Sequence, residues 1–197
     1  MNMAKSSTPQ SPKFNQIVDT ATELFMRFGV KRVTVEEICQ TAKISKMTFY
    51  KCFKNKTDLA EYIIFSILDT GQKEFEQIIN SGSSFEDKMN QFIKFKIHYA
   101  KQISKEFLID FMHLSDNIHQ RMIEYSEKNQ LIFIQLIEEA QKMGEVRKDV
   151  SIIFINFMFN NFMELREDDR FLNLFGNVEN ITSDMLNFFF YGIMGKK

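Results

Sequence analysis

The 197-residue chain, 44% hydrophobic, is long and apolar enough to bury one good core or a small domain joined to a larger one, which excludes disorder as its main state. Two prolines and seven glycines beside 22 phenylalanines and 12 methionines leave few breaks in a helical pattern, so an all-α fold is expected. The net charge of −1 conceals a division: residues 1–60 carry ten Lys and Arg against five Asp and Glu, +5, whereas 61–197 carry fifteen against twenty-one, −6, and a basic head on an acidic body points to a polyanion partner for the head.

Residues 1–11 are rich in Ser, Thr, Pro and Gln and are predicted to form a disordered tail. From Phe14 the apolar positions Ile17, Val18, Ala21, Leu24, Phe25 and Phe28 recur at steps of three and one, the stripe of an amphipathic helix, and Gly29 supplies its stop. In "TVEE" the Thr34 hydroxyl and the Glu37 carboxylate form a capping box that opens a short second helix ending near Ala42. Ser45 caps a third, reaching about Phe53, and Asn55 or Thr57 caps a fourth that runs to about Asn80, where "SGSS" breaks it. Beyond it lie a helix capped at Ser84, a shorter one from Ser104 to around His113, and a long one from about Asp116 to Met143, stopped by Gly144. Two more, from about Asp149 to Glu167 and from about Asn180 to Met194, bring the total to about nine, with no strand and no internal repeat.

Helix 2, the turn "AKIS" and helix 3 have the layout of a helix-turn-helix, in which the second helix enters the major groove while nearby hydroxyls, aromatic tips and lysines grip phosphates. Phe49 and Phe53, at i and i+4, are expected to face inward, leaving Lys46, Met47, Thr48, Tyr50 and Lys51 outward. The run "LFMRFGVKRVTVEEICQTAKISKMTFYKCFKNKTDL" resembles the TetR family of bacterial regulators. Phe25, Phe28, Gly29, Thr34, Val35, Ile38, Ala42, Ile44, Ser45, Thr48, Phe49, Tyr50, Phe53, Lys56 and Leu59 all fall where that family's pattern has them. The resemblance implies a DNA-binding domain of three helices at 12–60, joined by the long helix 4 to an effector-binding and dimerisation domain at 61–197. It implies Lys46, Met47 and Thr48 at or near base edges, Tyr50 against the backbone, Thr34 and Lys56 on phosphate, and Ser45 and Lys51 in the same contact set. Two positions depart from the pattern: Met47 stands where Gly or Pro is usual, and Cys52 where His or another polar or aromatic side chain is frequent. Met offers apolar contact to a thymine methyl but no bidentate hydrogen bond, so the operator sequence is less predictable. Each residue also has a bland reading: Thr34 as a helix cap, Lys51 and Lys54 as solvated charges, Cys39 as a small buried filler.

The last two helices are apolar nearly all round, with Ile152, Ile155, Phe159 and Phe162 on one face of the first and Leu186, Phe189, Phe190 and Ile193 at i, i+3, i+4 and i+7 of the second. Two such helices fit a subunit interface built as a four-helix bundle, so a homodimer through Ile155, Phe159, Phe162, Leu186, Phe189, Phe190 and Ile193 is expected. Phe92, Phe95, Tyr99, Phe107, Phe111, Met112, Phe133, Phe157 and Asn161 are candidates to line an apolar effector pocket, beside the plain reading of such residues as core. His98, His113 and His119 share no helical face with paired carboxylates, and no phosphate loop, nucleophile motif or zinc signature occurs, so neither metal nor cofactor is expected. "MNMAKSSTPQSPK" has no apolar core of a leader, and Asn156, Asn160 and Asn161 interrupt the most apolar later run, so a cytoplasmic chain with reduced Cys39 and Cys52 and no membrane partner is expected. The function that follows is a repressor that binds a palindromic double-stranded DNA operator as a homodimer and is released by a small apolar effector molecule. An all-α carrier or enzyme for an apolar ligand, with purely structural N-terminal helices, is the alternative.

Overall fold

The computed structural model describes residues 11–165, 168–174 and 177–194. Among the described residues the elements are α1 (Pro12–Phe28), α2 (Val35–Thr41), α3 (Lys46–Cys52), α4 (Lys56–Ile79), α5 (Phe85–Ala100), α6 (Lys105–His113), α7 (Asp116–Met143), α8 (Ile152–Glu164), α9 (Asp169–Leu172) and α10 (Val178–Ile193). The only pairing of extended backbone among them is a single bridge between Val146 and Met194. The predicted tail lies outside the described residues except for Ser11, which is part of the fold: its hydroxyl accepts from the Phe14 N–H and caps α1. The four-residue α9 is an addition to the expected set, too short to leave a period in the sequence.

The helix starts follow from local chemistry. Thr34, Ser45, Asn55, Ser84, Ser104, Ser115 and Asn177 each sit in extended backbone or close to it and accept from the N–H three residues on, satisfying a donor that the helix leaves free. At α4 a second bond backs the cap, since Asp58 accepts from the N–H of Lys54, the residue before Asn55. Gly144 ends α7 in the left-handed region at φ 78°, where a Cβ would be strained.

Two large cores result. The first gathers Ile17, Ala21 and Phe25 of α1, Ile38 of α2, Phe49 of α3 and Leu59, Ile63 and Ile64 of α4, and it also takes in Phe107 of α6 and Ile118 of α7. The head is therefore fused to the body through shared apolar contacts and the unbroken α4. The second core joins Phe92 and Ile93 of α5, Phe133 and Ile137 of α7, Ile155 of α8, and Leu186, Phe189, Phe190 and Ile193 of α10. Between α4 and α7 the contact turns polar: Asn117 donates to Glu61, Tyr125 to Asp69, Asn129 to Gln72, and Lys128 to Glu76. No helix among the described residues is long and apolar enough to cross a membrane.

Candidate nucleic-acid interface

The exposed side of α3 is built by fixing its other side. Phe49 is fully buried and Phe53 nearly so, and Phe53 stacks at 4.9 Å on Phe14 of α1 and at 5.9 Å on Tyr62 of α4. With those rings anchored, the helix period turns Met47, 71% exposed, and Tyr50 outward, with Lys46 and Lys51 also exposed. Ser45 and Thr48 stand at the helix start with their hydroxyl oxygens 3.0 Å apart, and Ser45 accepts from the Thr48 N–H. The turn that sets α3 against α2 is closed by the Ile44 N–H donating to the Cys39 carbonyl, and Lys43 adopts φ 51° to make it. Cys39 is buried and desolvation pushes its thiol up, which leaves it a packing residue.

Electrostatics within this face are local. Lys46 donates to Glu36 of α2, and the hydrogen bond and charge of each partner hold the Glu36 carboxyl below and the Lys46 ammonium above their ordinary values. Both side chains are more than half exposed, so solvent screens the pair and it holds neither group firmly. Thr34 caps α2 from an exposed position, its hydroxyl 3.1 Å from the Glu37 N–H, beside the free donors of a helix N-terminus.

At three places the structure arranges the expected residues differently. Lys56 does not extend toward solvent: its ammonium donates to the carbonyls of Val30 at 2.7 Å, Lys31 at 3.0 Å and Val33 at 2.7 Å. An ammonium has three donors, and all three are taken here by carbonyls of the turn between α1 and α2. The stripe read as a subunit contact is also internal: Ile155, Leu186, Phe189, Phe190 and Ile193 are buried within one chain, where α5 and α7 cover them, and Phe159 and Phe162 are half-buried against the same rings. The uncovered apolar face lies on the opposite side, formed by Ile153 (83% exposed) and Phe157 on α8 and Phe188 (73% exposed) and Tyr191 on α10, with Phe162 and Phe188 in ring contact between the helices.

The candidate pocket residues are, third, not gathered in one place. Phe107 and Phe111 belong to the core shared with the head, and Phe92 and Phe133 to the body core. Phe95 packs its ring on Tyr99 at 4.9 Å, and Met112 lines an open depression with His113, Ser115, Asp116 and His119. Phe157 and Asn161 are exposed on α8, where Asn161 donates to the Phe157 carbonyl. Among the described residues no cluster of His, Cys, Asp and Glu is arranged to hold a metal ion.

Sequence reasoning missed Asp110. Its buried carboxylate on α6 accepts from the Lys31 N–H at 2.7 Å, across 79 positions of sequence. The one available signal is an acid inside the apolar run "FLIDFM", Phe107 to Met112.

Residues 17–63, which hold α2, the turn and α3, match the pattern of the bacterial regulatory proteins of the tetR family. Over those residues the chain carries the DNA-binding pattern of that family. It is 23% identical over 134 residues to the HTH-type transcriptional regulator YhgD of Bacillus subtilis, covering 66% of this chain and 70% of that one. It is 22% identical over 151 residues to the HTH-type transcriptional repressor KstR2 of Mycolicibacterium smegmatis, covering 74% of each. In three dimensions it resembles a transcriptional regulator of the TetR/AcrR family from Thermobifida fusca with a TM-score of 0.63 and 22% identity, over 90% of this chain and 98% of the other. The TetR reading accounts for an N-terminal helix-turn-helix domain followed by a helical body, and it makes the chain a transcriptional regulator rather than an enzyme.

Proposed function

We propose that this regulator is a repressor that binds a palindromic operator as a homodimer and releases it when a small apolar molecule occupies its body. The observation that carries the reading is the uncovered apolar face of α8 and α10, Ile153, Phe157, Phe188 and Tyr191. A chain whose own core is complete without that face needs something else to cover it, and a two-fold pairing of α8 with α10 covers it with its own copy as a four-helix bundle. Such a pairing also fixes the separation of two α3 helices, each too short to specify a site alone, and successive major grooves lie about 34 Å apart. Thr34, Ser45, Lys46, Met47, Thr48, Tyr50 and Lys51 would meet the DNA, with Lys46, Met47 and Thr48 at or near base edges and Thr34 and Tyr50 on the backbone. Repression is supported by the name of the relative KstR2, and an apolar effector by the aromatic body core around Phe92, Phe133 and Phe190.

The test is binding of the intergenic DNA upstream of its own gene across a salt series, with sedimentation of the wild type and Phe188→Asp. Sequence-preferring binding that weakens steeply with salt, by a dimer that Phe188→Asp converts to a folded monomer, is the expected result. A wild-type monomer, or binding indifferent to sequence at every salt concentration, overturns it.

A further inference from the structure

The turn from Gly29 to Val33, which joins α1 to α2, is held from two sides by charged side chains. From α4, Lys56 places its ammonium on three of the turn's carbonyls. From α6, Asp110, 5% exposed, accepts the Lys31 N–H at 2.7 Å while its other oxygen lies 3.4 Å from the Lys31 ammonium. Burial pushes the Lys56 ammonium below its ordinary value and the Asp110 charge pulls it back, so the two charges share one field with the turn between them. The approach of α6 is close: at Gly29, φ 82°, an added Cβ would sit 2.9 Å from the nearer Asp110 oxygen and 3.0 Å from the Glu106 Cβ. A backbone bond from the Ser104 N–H to the Met26 carbonyl, 2.8 Å, ties the start of α6 to the end of α1 as well.

Buried charges are retained where they are paired and hydrogen-bonded, and these two meet that condition only through the turn. The turn runs directly into Thr34, the cap of α2, so its placement sets where the α2 N-terminus points. We propose that Lys56 and Asp110 are positioning residues for DNA binding: they clamp the α1–α2 turn, one from the head's own α4 and one from the body's α6, and so fix the α2 N-terminus against the DNA backbone without touching DNA. The inference rests on the reading of the head as a DNA-binding domain.

The test uses the full chain, generic duplex DNA as the probe, and amide exchange of Lys31 read by NMR. Asp110→Ala is expected to speed Lys31 exchange by about tenfold or more while α3 amides stay protected. Its DNA affinity should fall at every salt concentration, with an unchanged slope of log affinity against log salt. Asp110→Asn, which keeps an acceptor oxygen, should recover most of the protection, and Lys56→Gln supplies the second variant should Asp110→Ala fold poorly. Lys56→Gln should lower affinity with the slope likewise intact. A slope smaller by about 0.9 for each binding chain in Lys56→Gln would make that lysine a phosphate contact and overturn the proposal. Unchanged Lys31 exchange in both Asp110 variants would overturn it too, and because that readout needs no DNA, it fails separately from the DNA-binding reading itself.

Discussion

α3 and α10 are locked in the same manner and differ in what they leave outside. Phe49 buries one side of α3, Phe189 and Phe190 bury one side of α10, and neither buried stripe identifies a partner. The outer faces do. Around Met47 and Tyr50 on α3 stand lysines and hydroxyls, suited to phosphates and base edges, whereas Phe188 and Tyr191 on α10 continue onto Ile153 and Phe157 of α8 as an aromatic and aliphatic surface suited to another apolar surface. The helix interior holds a helix in place, and its surface chemistry names what it meets.

The strongest way to break the comparison is to put one charge on each side of α10. Phe189→Asp buries an unpaired carboxylate and removes a ring packed against Phe133, Phe159 and Phe190, so the chain should lose about 3–5 kcal/mol or fail to fold. Phe188→Asp, one position away and exposed, should leave the denaturation midpoint within about 0.5 kcal/mol of a monomeric reference and act on assembly alone. Urea unfolding of the two variants decides, and equal destabilisation would show that both faces are internal. The matching pair on α3 is Phe49→Ala, expected to cost about 3–5 kcal/mol, against Met47→Ala, expected to leave stability unchanged and shift base preference in operator selection.

The α4–α7 seam is a third kind of surface, polar and in part open to solvent, and it calibrates the other two. Burial first, then the Asp69 carboxylate that takes its hydrogen bond, pushes the Tyr125 phenol up to about 12. A folded-state value above the unfolded one gives stability that is fully present below pH about 10 and lost as pH rises toward about 12. Tyr125→Phe should cost about 1–2 kcal/mol at neutral pH and flatten that alkaline loss, as urea midpoints followed with pH will show. The smallest effect belongs to Glu36→Gln. Freeing Lys46 and removing a carboxylate from the DNA-facing side should raise affinity for generic duplex DNA by a few-fold at low salt and leave the thermal midpoint in place.

What was legible in the sequence was local. Thr34, Ser84 and Ser104 announce helix starts because a cap reaches only three residues, and Gly144 marks the end of α7 by a device just as local. The inward turn of Phe49 and Phe53 follows from a helix with one clear apolar side. On α8 and α10 the pattern is apolar all round, so nothing in it says which stripe α5 and α7 will cover, and the choice of Leu186, Phe189, Phe190 and Ile193 as an outer surface named the inner one. The roles of Lys56 and Asp110 were illegible because their partners are carbonyls and an N–H distant in sequence, groups that every residue carries and no residue type advertises.

The core shared between head and body bears on how far such a protein can be treated as interchangeable parts. Phe107 and Ile118, both well beyond the helix-turn-helix, close the core around Phe25 and Phe49. A chimera that grafts residues 11–64 onto a foreign body would arrive with that core open on one side and Gly29 facing a helix it was not shaped for. To transplant this chain's DNA preference, the economical graft is the outer face of α3 alone, Lys46 to Lys51, onto a recipient that keeps its own buried Phe49 equivalent and its own seam between head and body.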